Sequence, residues 1–321
     1  MNNIWSWDNC FNAMMLKDNF IDLALNQFEI FVEHQDEYGQ YPDFINNKFK
    51  SFNCVKPPIH AFSLKKLMDS SDNIDTSRVK SICDSIEKST YFWLNNRRFS
   101  ETDFPFYHHG NDSGWDNSTI FKNELPIIAP DLTAYIIRQL DILSDIYLSL
   151  KERDKAEDLK EEADKLFLGF TDYFYNLGKN KFIAKTLREG KETESSSLIL
   201  YLPIVIGYRF EKKFLDNLVK NLLSEHLTKY GLATENPSSP FYKYNGYWQG
   251  PIWAPTTYIF IDALRENGYT DEAFKIAEKF CELTLVGGMA ENFDPHSGEG
   301  LVDKSFTWTS SVFLLLQKEF Y

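Results

Sequence analysis

The chain has few cysteines, and their spacing does not suit metal binding. Its 321 residues contain four, Cys10, Cys54, Cys83 and Cys281, with no CxxC pair among them. Scattered single cysteines are typical of reduced, buried thiols, and they argue against a disulfide framework and a zinc site. The sequence also lacks a cysteine-histidine cluster and a glycine-rich phosphate loop. We therefore predict no metal and no cofactor, and carboxylates become the candidate reactive groups.

Positive charge and long hydrophobic runs are also scarce. Lys and Arg number 34 against 47 Asp and Glu, which gives a net charge of −13 that repels nucleic acid and anionic membranes. No apolar run approaches the roughly 20 residues that cross a bilayer. The amino-terminal stretch MNNIWSWDNCF has no basic start followed by a hydrophobic segment. These features predict a soluble, cytoplasmic protein without nucleic acid or membrane partners.

The sequence also lacks any segment with the composition of an interdomain linker. No Pro-, Gly- or Ser-rich stretch divides the chain, and the densest polar segment, residues 187–197, is short enough for one surface loop. With 43% hydrophobic and 16% aromatic residues, the chain can bury a large core. We predict a single domain over residues 1–321.

Helical periodicity dominates what is present. In residues 131–150, apolar side chains recur at spacings of three and four, while Arg138, Asp141 and Asp145 are predicted to face away. Residues 153–176 repeat the pattern after a short turn, which predicts a helical hairpin. The best strand signal is 181–187. Further helices are predicted over residues 8–17, 18–34, 57–70, 76–97, 193–206, 211–225, 251–267, 271–285 and 305–319.

Pairs of such helices with long aromatic loops on alternate connections predict an all-α fold, the (α/α)₆ toroid. The alternative is an open α-solenoid that scaffolds other proteins. A solenoid should show a sequence repeat of fixed period, and this chain has none. We therefore favour the toroid.

Aromatic residues concentrate in the predicted loops and at helix ends, beside Asp, Asn, Gln and Gly. Flat apolar rings next to carboxylates and amides suit a sugar pocket, although such rings can also plug the ends of a helical barrel. The set comprises Trp5, Trp7, Tyr38, Tyr41, Trp115, Tyr244, Tyr247, Trp248, Trp253 and Trp308.

The loop 110-GNDSGWDNST-119 offers the first candidate carboxylate. Hydrolysis of a glycosidic bond needs two carboxyl groups, an acid and a base or nucleophile. Asp116 follows Gly114, which lets backbone approach a ligand, and Trp115, whose apolar wall disfavours the charged form as a general acid requires. Asp112 in the same loop is more typical of a turn or capping aspartate.

The second carboxylate is expected in 289-MAENFDPHSGEG-300. Asp294 precedes a proline in a turn-like DPHSG, so the simpler interpretation is an Asx-turn cap. Composition does not separate Glu291 from Glu299.

Six motifs in order resemble glycoside hydrolase family 63, in particular its bacterial members and the mannosylglycerate hydrolases, and more distantly the trehalases of family 37. The resemblance runs from residue 5 to the end of the chain. The motifs are WSWD (5–8), KPPIHAF (56–62), SGWDNS (113–118), YWQGPIW (247–253), ENFDPHSGEG (291–300) and FTWTSS (306–311).

The resemblance implies an (α/α)₆ barrel of the six-hairpin glycosidase type, acting as a metal-free, inverting exo-α-glycosidase. The family's general acid falls on Asp116 and its general base on Glu291, which is thereby preferred to Glu299. The family's sugar-binding motifs fall on residues 5–8 and 247–253. The residues predicted to bind substrate are Trp5, Trp7, Asp8, Tyr41, Lys56, Gly114, Trp115, Tyr247, Trp248, Gln249, Trp253 and Trp308.

Three departures from the family pattern bear on the prediction. Lys56 replaces a usual glutamine, and its ammonium either selects an anionic substrate or lies on the surface. Gln249 replaces a common arginine and removes a fixed positive charge. The chain also begins almost on its first motif, whereas family members have roughly one more helix before it. We therefore expect eleven barrel helices and an exposed apolar groove that would favour a homodimer, destabilise the protein or indicate a mis-set start codon.

The predicted substrate is a small α-glucoside or α-mannoside, of the glycerate or disaccharide class. Two alternatives stay open. One is a trehalase-like α-glucosidase, because the orientation of one hydroxyl separates glucose from mannose. The other is a non-catalytic sugar-binding or scaffold barrel, against which the presence of both carboxylates counts.

Overall fold

The structure is a computed structural model that describes residues 3–71, 73–122 and 124–321. The chain forms two compact units. The first comprises residues 1–114 and 135–173, and the second residues 115–134 and 174–321. A single domain over residues 1–321 stays a prediction.

The first unit is built from helices and one small sheet. Its antiparallel sheet has the order β1-β2-β3, with Trp5 opposite Phe44 and Phe44 opposite Ser51. The elements are β1 (Ile4–Trp5), α1 (Ser6–Leu16), α2 (Ile21–Val32), β2 (Phe44–Ile45), β3 (Lys50–Ser51), α3 (His60–Ser70), α4 (Thr76–Asn96), β4 (Phe106–Tyr107), most of α5 (Pro130–Ser149), α6 (Arg153–Phe167) and most of α7 (Phe170–Phe174).

Local signals set several of these boundaries. The Asp75 side chain caps α4 by accepting hydrogen bonds from the backbone N–H groups of Ser77 and Arg78, which a helix start leaves unpaired. Arg78 then reaches α2, where its Nε lies 2.7 Å from Glu29 Oε1. Gly169, at φ 93°, separates α6 from α7, so the helix predicted over 153–176 is two helices.

The hairpin predicted for α5 and α6 is confirmed by packing between them. Ser144 Oγ donates to the carbonyl of Ala156 at 2.8 Å. The prediction that Arg138 and Asp141 face away from the core is wrong, because both are buried. Arg138 lies over the Phe62 ring and Asp141 pairs with Lys160 on α6, so the chain buries these charges by partnering them.

The second unit contains the remaining helices and short strand pairs. Its elements are β5 (Ile127–Ile128), β6 (Tyr175–Asn176), β7 (Lys181–Phe182), β8 (Lys185–Thr186), a 3₁₀ helix (Leu198–Arg209), α8 (Lys212–His226), α9 (Ala254–Glu266), α10 (Thr270–Gly287), β9 (Asn292–Phe293), β10 (Gly300–Leu301) and α11 (Thr307–Phe320). The pairs β5-β8, β6-β7 and β9-β10 are antiparallel. The strand predicted over 181–187 is therefore two short strands.

The helix predicted over 193–206 is present, but it is a 3₁₀ helix that begins and ends further along the chain. It is the 3₁₀ helix Leu198–Arg209, whose sequence is apolar on every side and so offers no 3.6-residue stripe. Pro203 lacks a backbone N–H, and Ile206 has non-helical φ and ψ angles of −113° and 27°. With this segment counted and the short α7 set aside, the described residues contain the eleven long helical segments that the sequence predicts.

The last helix leaves apolar side chains uncovered. α11 packs on α9 and α10, while Phe274, Leu314 and Tyr321 on α10 and at the end of α11 are exposed. Homodimerisation through the predicted apolar groove stays a prediction that a measurement of mass in solution tests. Across the described ranges, no helix combines the length and apolar character needed to traverse a bilayer.

Candidate active site

The loop that carries the proposed acid begins with a capped turn. In the 3₁₀ helix Gly110–Ser113, buried Asp112 accepts hydrogen bonds from the backbone N–H groups of Val55 and His109. Burial raises the pKa of Asp112, whereas these N–H groups and the charge of Arg97 lower it. The interpretation of Asp112 as a capping aspartate is confirmed by these bonds.

Gly114 ends that turn beside the side chain of Trp7. Its φ of 73° favours glycine, and a Cβ there would lie 2.9 Å from Cζ2 of Trp7. The backbone therefore approaches the buried Trp7 indole. Trp115 follows in the second unit and is also buried, and Asp116 after it is half-buried.

Asn117 ties the Asp116 segment to residues 246–249. Its side chain donates from Nδ2 to the Gly246 carbonyl at 3.0 Å and accepts from the Trp248 N–H at 2.9 Å. Gln249 Nε2 donates in turn to the Asn117 carbonyl at 2.8 Å. Gln249, where the family pattern has arginine, thus holds the backbone next to Asp116.

Glu291 lies directly before β9. Its backbone N–H donates to the Asp303 carbonyl at 2.7 Å, and its side chain accepts a 2.9 Å hydrogen bond from Tyr247 Oη. The residue is 6% exposed. Burial raises its pKa, the Tyr247 bond lowers it, and the charges of Asp303 and Asp116 raise it. Residues 246–249 therefore contact the Asp116 segment through Asn117 and contact Glu291 through Tyr247.

The structure distinguishes Glu291, Glu299 and Asp294 by their burial and hydrogen bonds, which composition alone does not. Glu299 is exposed, whereas Glu291 is buried. Asp294 accepts bonds from the His296 N–H at 2.8 Å and from Ser297 Oγ at 2.7 Å, which confirms the Asx-turn interpretation.

The tryptophans of the second unit form one stacked group. The rings of Trp248 and Trp253 are 4.0 Å apart and 6° from parallel, and Trp115 lies 4.9 Å from Trp248. Trp253 is 0% exposed, contacts Trp308 edge-on, and donates from Nε1 to the Tyr247 carbonyl at 2.9 Å. Trp253 therefore supports Trp248 and Tyr247 from below the surface, and Tyr247 is held at a φ of 64°, rare for a residue with a side chain.

The predicted site residues of the first unit divide by exposure. Trp7 and Tyr41 are buried, and Tyr41 Oη pairs with Ser85 Oγ at 2.8 Å. Trp5 and Asp8, at the start of α1, are partly exposed.

Lys56 does not lie on the surface, so that alternative is wrong. It is 9% exposed, and its Nζ lies 3.4 Å from Asp43 Oδ1. The same ammonium donates to the Asn111 carbonyl at 2.9 Å and lies 5.6 Å from the centre of the Trp5 ring. Asp43 therefore balances the charge that replaces the family's glutamine.

Two functional candidates were missed by sequence reasoning. Asp43 gave no signal because its partner Lys56 lies 13 positions further along the chain, beyond β2 and β3. Glu235, which is 0% exposed, lies in 233-ATENPSSP-240, whose composition indicates only a turn. Among the described residues, no group of three or more His, Cys, Asp and Glu side chains is arranged to hold a metal ion.

A mostly helical chain with two carboxylates beside stacked indoles has the features of the six-hairpin glycosidases, and the chain is a glycoside hydrolase. Residues 1–309 match the family described as the mannosylglycerate hydrolase MGH1-like glycoside hydrolase domain. The chain belongs to that family, which is of the family 63 type.

Known proteins agree with this assignment. The mannosylglycerate hydrolase of Rubrobacter radiotolerans is 21% identical over 403 residues, covering 97% of this chain and 89% of the relative. The family 63 mannosylglycerate hydrolase of Thermus thermophilus, solved with glucose, superposes with a TM-score of 0.86 at 17% identity, covering 98% of this chain and 92% of that structure. Neutral trehalase Nth1 of Saccharomyces cerevisiae gives 0.80 at 16% identity, covering 99% and 72%. The fold class is therefore all-α and consistent with an (α/α)₆ toroid.

Proposed function

We propose that the chain is an inverting exo-α-glycosidase with Asp116 as general acid and Glu291 as general base. The observation that carries the proposal is the segment 246–249, which hydrogen-bonds both the Asp116 segment and Glu291. Protonated Asp116 gives its proton to the glycosidic oxygen, and ionised Glu291 removes a proton from the attacking water. Water enters opposite the leaving group, so the product anomer is inverted, and the two carboxyl groups of such a pair lie roughly 6.5–9.5 Å apart.

The electrostatics of Glu291 suit a base. Burial and the charge of Asp303 raise its pKa, so the carboxylate binds a proton more readily than an exposed glutamate. The Tyr247 hydrogen bond opposes this and keeps the group ionised to lower pH. Burial therefore raises the pKa of Glu291, and the Tyr247 hydrogen bond limits that rise.

For the substrate we propose an α-mannoside or α-glucoside of glycerate, because the relatives are mannosylglycerate hydrolases. A neutral disaccharide of the trehalose type is the second candidate. The observation that favours it is the Asp43 carboxylate, which balances the Lys56 charge in place and so weakens the case for an anionic aglycone.

Release of free sugar from a small panel tests the function. The panel comprises mannosylglycerate, glucosylglycerate, trehalose, kojibiose and nigerose, with the first-formed anomer followed by proton NMR. We expect turnover of a glycerate glycoside with inversion, and its loss in Asp116→Asn. Retention of the anomer contradicts the mechanism. No turnover by a folded, monodisperse sample contradicts the proposal and favours a non-catalytic sugar-binding barrel.

Replacing Tyr247 with phenylalanine should move the acid limb of the pH profile upward. The base works in its ionised form, so activity falls as the pH drops through its pKa. Removing the 2.9 Å bond from Tyr247 Oη withdraws stabilisation from the carboxylate and raises that pKa further. The shift should be roughly one pH unit, the equivalent of a hydrogen bond to a charged group.

The measurement is kcat/KM against pH for the wild type and both tyrosine variants. Tyr244→Phe is the matched control, since it removes an exposed hydroxyl from the same loop. An acid limb that stays in place in Tyr247→Phe argues that Glu291 is not the group that titrates.

A further inference from the structure

Glu235 is a buried carboxyl group that the mechanism above does not use. It is 0% exposed and lies in the connection between α8 and α9, upstream of Tyr247. Its backbone is fixed, because residue 235 forms a bridge with Ser197 and the next N–H donates to the Ser196 carbonyl at 3.0 Å. Burying a carboxylate costs free energy unless it is well hydrogen-bonded, so a specific reason for its presence is expected.

Each carboxylate oxygen of Glu235 accepts a hydrogen bond from a hydroxyl group, and the two hydroxyl groups belong to different segments. Oε2 accepts from Thr119 Oγ1 at 2.7 Å, and Oε1 accepts from Ser239 Oγ at 2.6 Å. Burial raises the pKa of Glu235, whereas these two bonds, a backbone bond with Ser196 and the charge of Lys181 lower it. The side chain thus joins two stretches of chain 116 positions apart.

Thr119, one of the two hydroxyl donors, is close to Asp116 in the sequence. Thr119 begins a 3₁₀ helix three residues after Asp116, and the N–H of Ser118 donates to the Trp115 carbonyl at 2.7 Å. Ser118 Oγ also donates to Ser197 Oγ at 2.8 Å. Asp116 therefore lies on a short turn whose carboxyl-terminal end is fixed by Thr119 and Ser118.

Glu235 also lies next to a residue that contacts the segment holding Glu291. Thr234, next to Glu235, is paired with the YWQGPIW stretch: its Oγ1 donates to the Pro251 carbonyl at 2.8 Å, and its N–H donates to the Gly250 carbonyl at 3.1 Å. Tyr247 and Trp248 stand directly before those residues. Glu235 therefore joins the acid's segment to the segment that holds the base.

We propose that Glu235 is a positioning residue that, through Thr119, fixes Asp116 relative to residues 246–249. The inference rests on the proposed function, in which Asp116 is the acid. A carboxylate suits this task because its hydrogen bonds from hydroxyls are shorter and stronger than those to a neutral acceptor. A displacement of about 1 Å in a catalytic group can lower the rate about 10²-fold, so the anchor has a kinetic consequence.

The matched variants Thr119→Val and Ser239→Ala each remove one hydroxyl that donates to the same carboxylate. Both are assayed on the glycerate glycoside that the wild type hydrolyses and on the α-glycosyl fluoride of the same sugar, whose leaving group needs little help from an acid. We expect Thr119→Val to lower kcat roughly 10–100-fold on the glycoside with little change in KM, and at most about 3-fold on the fluoride. Ser239→Ala should stay within about 3-fold on both. Glu235→Gln should lower kcat on the glycoside in the same way as Thr119→Val, but by a smaller factor.

Amide hydrogen exchange supplies a readout that needs no turnover. Residues 115–122 should exchange faster in Thr119→Val than in Ser239→Ala. Equal losses by both variants on both substrates, or unchanged exchange over 115–122, would overturn the inference and leave Glu235 a general stabiliser. If the wild type hydrolyses neither substrate, the proposed function fails, and the exchange comparison alone decides whether Glu235 anchors the Asp116 segment.

Discussion

Hydrolysis of an α-glycoside should fall by roughly 10²–10⁴ in kcat when Asp116 is replaced with asparagine or Glu291 with glutamine. Each change removes a proton donor or acceptor at nearly constant shape. Glutamine at position 291 keeps an oxygen that can accept the Tyr247 hydroxyl, so the surrounding loop should hold its conformation. Because a buried charge is removed, the melting temperature of Glu291→Gln should stay constant or rise.

An α-glycosyl fluoride separates the two roles. Fluoride leaves with little protonation, so Asp116→Asn should recover most of its activity on this substrate, whereas Glu291→Gln should not, because water still needs a base. Glu299→Gln, in the same loop but exposed, is the control and should match the wild type. Recovery in Glu291→Gln in place of Asp116→Asn would reverse the assignment, and full activity in either on the glycoside would remove that residue from the mechanism.

Helices were predictable from sequence where one face is apolar. In α5, Ile136, Leu140, Leu143 and Tyr147 recur at helical spacing, and all four are buried. Periodicity failed over the 3₁₀ helix Leu198–Arg209, since a segment that is apolar all round carries no stripe. Hydrophobic periodicity therefore predicts an amphipathic helix well, but it does not tell which type of helix a fully buried segment forms.

Polar contacts between distant loops were not predictable. The Asx turn at Asp294 was predictable, because its hydrogen-bond partners lie within three residues of it in the sequence. The helical pattern predicts Arg138 and Asp141 on the solvent side because it does not show that Phe62 and Lys160 cover them. Likewise, Glu235 and Thr119 meet across 116 positions, and no local composition marks either residue. The proposed acid and base came from ordered motifs, whereas the groups that hold them came only from the structure.

Replacing Trp253 with alanine should lower the free energy of unfolding by roughly 3–5 kcal/mol, the usual cost of truncating a buried tryptophan. Its ring is 0% exposed, stacks on Trp248 at 4.0 Å and contacts Tyr247 edge-on at 4.8 Å, so truncation leaves a cavity directly beneath the candidate site. Denaturant unfolding measures the loss. A cost below about 1 kcal/mol would mean that the loop refills the space and that the stacked group is not rigid.

The milder Trp253→Phe separates packing from positioning. Phenylalanine keeps an aromatic ring but removes the Nε1 hydrogen bond to the Tyr247 carbonyl. That bond helps to hold Tyr247 at its φ of 64°, and Tyr247 in turn holds Glu291. We therefore expect kcat to fall roughly 10-fold or more beyond what stability explains. Trp93→Phe is the control, because Trp93 is a buried indole on α4 of the other unit. Equal stability losses in the two variants with an unchanged kcat in Trp253→Phe would show that Trp253 acts only as core, because the Tyr247 carbonyl would then keep its place without the indole.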